Sequence, residues 1–291
     1  MTTPATRASE ALDAEREAGA TDILVEPDWL EARLGDPAVR IIEVDVNAKA
    51  YSDGHIPGAV LWNAYADLKR PDYRPVDADA IRALFERSGI TPEQTLVFYG
   101  YAPSLAFWVM KLYRHRNVRI LNAARAVWQD AGRPWTTAPA SVEPTHYPLP
   151  DEDHSIRADL EDVRHAIGDP RTTILDVRTP EEYSGERFWP SGAPEPNGRA
   201  GRVPTAVNRN AAALFDDRGR FLDRDALTSL FADVVPPDAE VITYCTIGNR
   251  GSAAWFAFRF LLGHDRARVY DGSWAEWGHS EGVPVEVDNV R

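Results

Sequence analysis

With 291 residues, the chain is long enough for one hydrophobic core to divide into two. Its 45 acidic and 32 basic side chains give a net charge of −13, so we expect no binding to nucleic acid. The one cysteine excludes an intrachain disulfide and suits a reducing compartment. The N-terminus lacks a signal-peptide pattern and no apolar stretch has the length of a membrane span, so we expect a cytoplasmic protein with no membrane partner.

The chain divides into four predicted parts. Residues 1–20, in which alanine alternates with charged residues, are expected to form an N-terminal extension. A first domain is predicted over residues 21–138, and a proline-rich linker over residues 139–156. Residues 157–291 are expected to form a second domain, which gives a two-domain chain.

Each predicted domain alternates β-branched runs with helical patterns. This alternation indicates the α/β class, with a parallel sheet in each domain and helices on both of its faces. Reactive groups in such sheets lie at the carboxyl ends of the strands. The predicted strands are Ile41–Val46, Thr95–Tyr99, Thr173–Val177 and Val241–Tyr244, and the predicted helices include Ala78–Arg87 and Asp225–Asp233.

The second half of the chain repeats the first. In each half a Gly-Asp-Pro turn leads to an apolar run that contains a carboxylate, Ile41–Asp45 in one and Ile174–Arg178 in the other. Such a long repeat indicates a duplicated domain. Aligning Tyr99 with Tyr244 places Gly100 opposite Cys245, so we expect a catalytically inactive first domain and one active site in the second.

Cys245 follows an apolar strand pattern and precedes a helical one. A thiol at such a strand–loop–helix junction can face several backbone N–H groups, which stabilise a thiolate or a bound anion. Cys245 is therefore the predicted nucleophile. The loop expected to surround its sulfur consists of Thr246, Ile247, Gly248, Asn249 and Arg250.

The loop length argues against phosphoryl transfer. Arg250 gives the pattern Cys-x4-Arg, one residue shorter than the loop that cysteine phosphatases need. The smaller ring suits a smaller group, such as the outer sulfur of a persulfide. No histidine lies in a recognisable Cys–His or metal-ligand pattern, so neither a metal nor another cofactor is expected.

Three segments resemble the tandem-domain rhodanese family of sulfurtransferases. They are the Cys-x-x-Gly-x-Arg loop, the Gly-Ser-Trp-x-Glu-Trp motif within Ala267–Trp277, and Tyr51–Ala59, and the resemblance extends from about Ile23 to Val287. It implies two rhodanese-like domains and a ping-pong cycle, in which the Cys245 thiolate takes the outer sulfur of thiosulfate, the favoured donor, and passes it to cyanide or a thiol.

The resemblance leaves the donor, the acceptor and the assembly open. 3-Mercaptopyruvate is an alternative donor, and a persulfide carrier that serves one protein partner is a further alternative. Thr246 and Ile247 match neither well-known substrate class, and Glu182 stands where both classes place an arginine, which counts against mercaptopyruvate. The tandem domains are compatible with a monomer.

Several residues are expected to line the substrate pocket or support the loop. Arg250 can contact an anionic substrate, or it can lie behind the loop in an ion pair with Asp176 or Glu182, which we favour. Arg202 can likewise supply charge to the pocket or be solvated, and Trp274 can belong to the pocket wall or to the core. The set comprises Asp176, Arg178, Glu182, Arg202 and Trp274.

Overall fold

The structure, a computed structural model, describes residues 23–288, so the predicted extension 1–20 lies outside the described residues. The strands are β1 (Leu24–Val25), β2 (Val39–Asp45), β3 (Val60–Asn63), β4 (Thr95–Gly100), β5 (Val118–Leu121), β6 (Arg157–Ala158), β7 (Thr172–Asp176), β8 (Val207–Asn208), β9 (Glu240–Tyr244) and β10 (Ala267–Tyr270).

The helices follow these strands one by one along the chain. They are α1 (Pro27–Glu31), α2 (Lys49–Ser52), α3 (Ala78–Arg87), α4 (Pro103–Leu112), α5 (Arg125–Asp130), α6 (Leu160–Ala166), α7 (Pro180–Ser184), α8 (Arg224–Phe231), α9 (Asn249–Phe256) and α10 (Ser273–Trp277). Short 3-10 turns occur at His154–Ile156 and Ala211–Leu214, and a π-helical turn, Ala257–Leu261, continues α9.

The strands form two parallel five-stranded sheets with one topology. The order is β1-β5-β4-β2-β3 in the first sheet and β6-β10-β9-β7-β8 in the second. The predicted α/β class and its two parallel sheets with flanking helices are confirmed. No described helix, over residues 23–288, is long and apolar enough to cross a bilayer.

The duplication extends to individual hydrogen bonds. Tyr99, on β4, donates its hydroxyl hydrogen to the Glu43 carboxylate on β2, and the same hydroxyl oxygen accepts from the Ile56 backbone N–H. In the second domain Tyr244 donates to Asp176 at 2.6 Å and accepts from the backbone of Val203. The two halves therefore share a buried tyrosine–carboxylate pair that ties the central strands to the loop before the edge strand.

The two domains pack through equivalent helices. α4 follows β4 and α9 follows β9, and the Phe107 ring of α4 meets the Phe256 ring of α9 edge to face, with centroids 4.9 Å apart. Buried residues of both domains belong to one continuous hydrophobic cluster, which includes Cys245. The carboxyl ends of the central strands are consequently fixed relative to each other by a shared core.

The segment predicted as a linker, residues 139–156, lies against the first domain. The Thr145 N–H donates to the carbonyl of Glu86, and the hydroxyl of the buried Tyr147 bonds to His115 at 2.8 Å. The segment ends in the His154–Ile156 turn, next to the start of β6. These contacts tie the connection to the first domain along its length.

Candidate active site

Cys245 lies immediately after β9, the central strand of the second sheet, and before α9. Its side chain is buried, with 1% of its surface exposed, and its sulfur accepts a hydrogen bond from the Gly248 backbone N–H at 3.1 Å. Gly248 has a φ of +90°, which turns this N–H back toward the sulfur. A backbone N–H aimed at sulfur at the start of a helix stabilises a negative charge there.

Residues at the start of α10 fix the backbone of Cys245 through hydrogen bonds. The Ser273 hydroxyl oxygen accepts from the Cys245 N–H at 3.2 Å, and the Trp274 N–H donates to the Cys245 carbonyl at 2.9 Å. The Ala275 N–H in turn donates to the carbonyl of Thr246 at 2.8 Å. The Gly-Ser-Trp-x-Glu-Trp motif therefore acts as a template for the loop, a role that sequence reasoning did not give to Ser273.

Trp274 is fully buried in the core of the second domain. The Arg178 guanidinium lies over its ring, 4.5 Å from the centroid. The structure thus places Trp274 under the site, among core residues that include Tyr244 and Tyr270.

Arg250, the last residue of the loop and part of the first turn of α9, forms a bidentate ion pair with Glu182 of α7. Two nitrogens of its guanidinium each lie 2.8 Å from a different carboxylate oxygen. One of them also donates to the Thr246 hydroxyl at 2.7 Å, and that hydroxyl donates to Glu182 at 2.5 Å. The sequence predicts that Arg250 either contacts an anionic substrate or forms an ion pair behind the loop. This geometry corresponds to the ion pair, and the partner is Glu182 rather than Asp176.

Glu182 is fully buried and also caps its own helix. The Thr179 N–H donates to the Glu182 carboxylate at 3.1 Å, and the Glu182 N–H donates to the Thr179 hydroxyl, which completes a capping box. Burial alone would raise the pKa of Glu182, but the hydrogen bonds and charge of Arg250 and the hydroxyl of Thr246 outweigh burial and lower it. Glu182 is therefore a charged anchor that positions the loop through two side chains.

Asp176 and Arg178 form a second buried network beneath the site. Arg178 donates to Asp176 from Nε and from Nη2, the latter at 2.7 Å, and Nη2 also bonds to the Gly201 carbonyl at 2.6 Å. Both side chains are fully buried, and the Tyr244 hydroxyl also donates to Asp176. The network ties the last residue of β7 to the residue before Cys245, so it supports the loop from the sheet side.

The remaining predicted site residues lie around this centre. The Arg202 guanidinium pairs with Glu286 and Asp288 and lies over the Tyr183 ring. Ile247 is half-buried in the loop, and Asn249 begins α9. The structure thus brings Thr246, Gly248 and Arg250 together with Cys245, and it uses Arg202 to hold the C-terminal segment.

The first domain contributes residues to the site that the sequence analysis missed. A hairpin after β3 reaches across the domain interface, where the Lys69 ammonium donates to the Asp271 carbonyl at 3.3 Å and Arg74 pairs with Glu276. The Tyr73 ring of the same hairpin meets the edge of Trp189, with centroids 5.5 Å apart. The internal repeat held a usable signal, because Lys69 stands opposite Phe215 when the two halves of the chain are aligned.

Comparison with known proteins agrees with this geometry. The model of the rhodanese-like domain matches residues 26–131 and 159–280. A Haloferax volcanii protein named "Putative thiosulfate sulfurtransferase" is 39% identical over 281 residues, which is 93% of this chain and 98% of that protein. A Thermus thermophilus protein named "Sulfur carrier protein TtuD" is 37% identical over 274 residues, 91% of this chain and 96% of that protein.

Among solved structures, the anaerobic ergothioneine biosynthesis enzyme of Chlorobium limicola superposes with a TM-score of 0.81 at 23% identity, over 92% of this chain and 70% of that chain. At that identity the likeness concerns the fold alone. The two domain matches and the relatives above 30% identity show the family, and they confirm the resemblance read from the cysteine loop and the tryptophan motif. The chain belongs to the rhodanese-like family of sulfurtransferases, as a member with two tandem domains.

Proposed function

We propose that the protein is a thiosulfate sulfurtransferase that works through a persulfide on Cys245. The observation that carries the proposal is the 3.1 Å hydrogen bond from the Gly248 N–H to the sulfur of the chain's one cysteine, at the carboxyl end of a central parallel strand. An anionic sulfur held there is a nucleophile that needs no separate general base.

In the first half-reaction, the Cys245 thiolate attacks the outer sulfur of thiosulfate. A new sulfur–sulfur bond forms to Cys245, the original sulfur–sulfur bond of the donor breaks, and sulfite leaves with the bonding electron pair. In the second half-reaction, cyanide or a thiolate attacks the outer sulfur of the persulfide. Thiocyanate or a new persulfide leaves, and the Cys245 thiolate returns. Both steps conserve charge and need no external oxidant or reductant.

The same loop stabilises both forms of the cysteine. The Gly248 N–H faces the sulfur, and the Arg250–Glu182 pair holds the hydroxyl of Thr246 within the same loop. A hydrogen-bond donor that is already in place before the reaction stabilises the developing negative charge without reorganisation. The network around Glu182 therefore acts on the reaction by holding the loop in one shape.

Intact-mass spectrometry tests the proposal. Thiosulfate should add about 32 Da, one sulfur atom, to the protein, and cyanide should remove it, whereas cyanide does not reverse oxidation to a sulfinic acid of similar mass. Cys245→Ser is the matched control and should gain nothing. A gain with 3-mercaptopyruvate but none with thiosulfate would overturn the proposed donor, and turnover by Cys245→Ser would overturn the mechanism.

A carrier role is a second candidate, in which the persulfide passes to one protein partner. It is favoured by the name of the Thermus relative and by two exposed tyrosines of the first domain, Tyr65 and Tyr101. Exposed aromatic side chains are common at protein contacts. Turnover with cyanide that is slow relative to loading by thiosulfate, and slowed no further by Tyr101→Ala, would favour this role.

We further propose that the first domain carries no catalytic centre. Gly100 occupies the position of Cys245, with a φ of +105°, and a Cβ placed there would lie 2.8 Å from the Val44 carbonyl oxygen. A side chain at this position would be strained and would collide with backbone. The first domain then contributes to function through the surface that it presents to Cys245.

A further inference from the structure

Each domain extends one hairpin after its edge strand β3 or β8. The first hairpin pairs Lys69 with Pro75, and the second pairs Phe215 with Phe221. The preceding residue is a buried leucine in both cases, and the next helix begins with an aspartate cap at the same distance. The hairpins are thus equivalent in the duplicated fold, and Lys69 occupies the position of Phe215.

Each hairpin contacts the other domain. The first reaches Asp271, the residue after β10, through the Lys69 ammonium. The second reaches Asn122, the residue after β5, through the backbone N–H of Phe221 at 3.1 Å. The two contacts are equivalent in position but differ in chemistry. The hairpin that approaches the cysteine loop carries Lys69, whereas the other carries Phe215 at the equivalent position.

Lys69 is buried beside the cysteine loop. Its side chain is 5% exposed, and a Cβ added to Gly248, the residue whose N–H binds the cysteine sulfur, would lie 3.2 Å from the ammonium nitrogen. Burial lowers the pKa of Lys69, and the charges of Asp271 and Cys245 oppose that shift. The ammonium therefore lies beside the glycine whose N–H holds the cysteine sulfur.

The hydrogen bonding around Lys69 leaves donor capacity of its ammonium unused. Its hydrogen bond within residues 23–288 goes to a carbonyl at 3.3 Å, although an ammonium has three donors. The carboxylate of Asp271 is already held by Arg157 at 2.7 Å. A buried cation without a paired anion is costly, so the arrangement is stabilised when an anion occupies the site.

The choice of lysine is itself informative. Three of the 32 basic residues are lysines, so the chain uses arginine almost everywhere else. Lys49 and Lys111 have hydrogen-bond partners on the surface of the first domain. An ammonium is a compact point charge and suits a small anion in a narrow site better than a planar guanidinium does.

We infer that Lys69 is the donor-binding cation of the Cys245 site, which the thiol-free first domain supplies to the second. Its ammonium binds the anionic oxygens of a small sulfur donor of the thiosulfate class while the thiolate attacks the donor's outer sulfur, and it thereby selects anionic over neutral reagents. The inference rests on the proposed function for the identity of the donor, but its principal test does not require turnover.

The principal test uses the chain's one thiol as a probe of local charge. Iodoacetate and iodoacetamide have similar size and react alike with a thiolate, but only iodoacetate is an anion. Intact-mass kinetics should show that Lys69→Met lowers the ratio of the iodoacetate rate to the iodoacetamide rate by at least about tenfold, since it removes a full charge from a buried position. Lys69→Arg should keep most of the ratio, and the exposed Lys49→Met should leave it unchanged.

A second readout uses the reaction itself. Lys69→Met should lower kcat/KM for thiosulfate by at least about tenfold, chiefly through KM, and inorganic sulfate should protect Cys245 from alkylation in the wild type but not in the variant. Lys69→Gln, with melting temperatures for all variants, provides a second neutral substitution should the methionine fold poorly.

Equal slowing of both reagents, with an unchanged ratio, would assign Lys69 a structural role and overturn the inference. Wild-type protein that gains no sulfur from thiosulfate while Lys69 still sets the alkylation ratio would instead overturn the proposed function and leave the anion site standing.

Discussion

Arg250 and Glu182 form a bidentate ion pair beside the reactive loop, with two guanidinium nitrogens each 2.8 Å from a different oxygen of a carboxylate that has no exposed surface. Three-quarters of the Arg250 side chain is covered as well. Such a pair fixes direction as well as distance, because both partners are planar. It also adds Thr246 to the same network, so the ion pair holds one side of the loop.

Arg250→Ala should therefore damage the loop more than donor binding. It leaves the buried Glu182 charge without its main partner, and we expect the free energy of unfolding to fall by about 3 kcal/mol. Turnover should fall at saturating thiosulfate, because the Gly248 N–H loses its position. Steady-state kinetics and chemical unfolding measure both effects. Intact turnover with only a raised donor constant would show instead that Arg250 binds the donor directly.

The stability contributed by Glu182 should depend on pH. Because its pKa is lowered in the folded protein, its contribution is complete above the usual glutamate pKa of about 4.3 and is lost as the pH falls through the lowered value. The Glu182→Gln variant should have a lower free energy of unfolding than the wild type at pH 7, and this difference should narrow toward pH 3. Urea unfolding at several pH values measures this. Glu281→Gln, at an exposed position, should track the wild type throughout.

The duplicated α/β fold could be predicted because its signals are local. Helix α3 begins and ends at the predicted residues, since the Asp77 side chain caps it by accepting from the Ala80 N–H at 2.9 Å. The predicted strands deviate by one or two residues, as expected where pairing extends beyond the β-branched run. The patterns that specify these elements lie within a few residues of one another.

The candidate site was only partly predictable, for a physical reason. The sequence narrowed the partner of Arg250 to two carboxylates, but the choice of Glu182 depends on how α7 is oriented over the loop. Lys69 contacts Asp271, which is 202 positions away in the chain, and only domain docking brings the two together. Contacts between domains leave no periodic pattern in the sequence. The alignment of the two repeats was therefore the one available clue to the role of Lys69.

Gly248→Ala should slow persulfide formation. Gly248 has a φ of +90°, and a Cβ there would lie 3.0 Å from the Asp271 carbonyl oxygen, so the substitution strains the loop and displaces the N–H that faces the sulfur. Losing one such donor typically costs about 100-fold or more in rate, and a displaced donor should cost about tenfold. Rapid-quench mass spectrometry with thiosulfate measures the loading rate.

Gly282→Ala is the matched control for that experiment. Gly282 has a φ of +77°, and no atom lies within 4 Å of a Cβ placed there. It should therefore show the backbone strain alone, with a loss of about 1 kcal/mol in stability and an unchanged loading rate. Equal loading rates in both variants would mean that the Gly248 N–H does not contribute to the reaction.

Gly100 should resist substitution although it has no chemistry of its own. Gly100→Ala combines a φ of +105° with a Cβ only 2.8 Å from the Val44 carbonyl oxygen, whereas Gly132→Ala meets a φ of +65° and open space. We expect losses of about 3 kcal/mol and about 1 kcal/mol, respectively, because only the first must also move backbone. Denaturant unfolding measures both. Gly100→Cys in a Cys245→Ser background should accordingly gain no sulfur from thiosulfate, and a cyanide-reversible gain there would show that the first domain retains a working cradle for a persulfide.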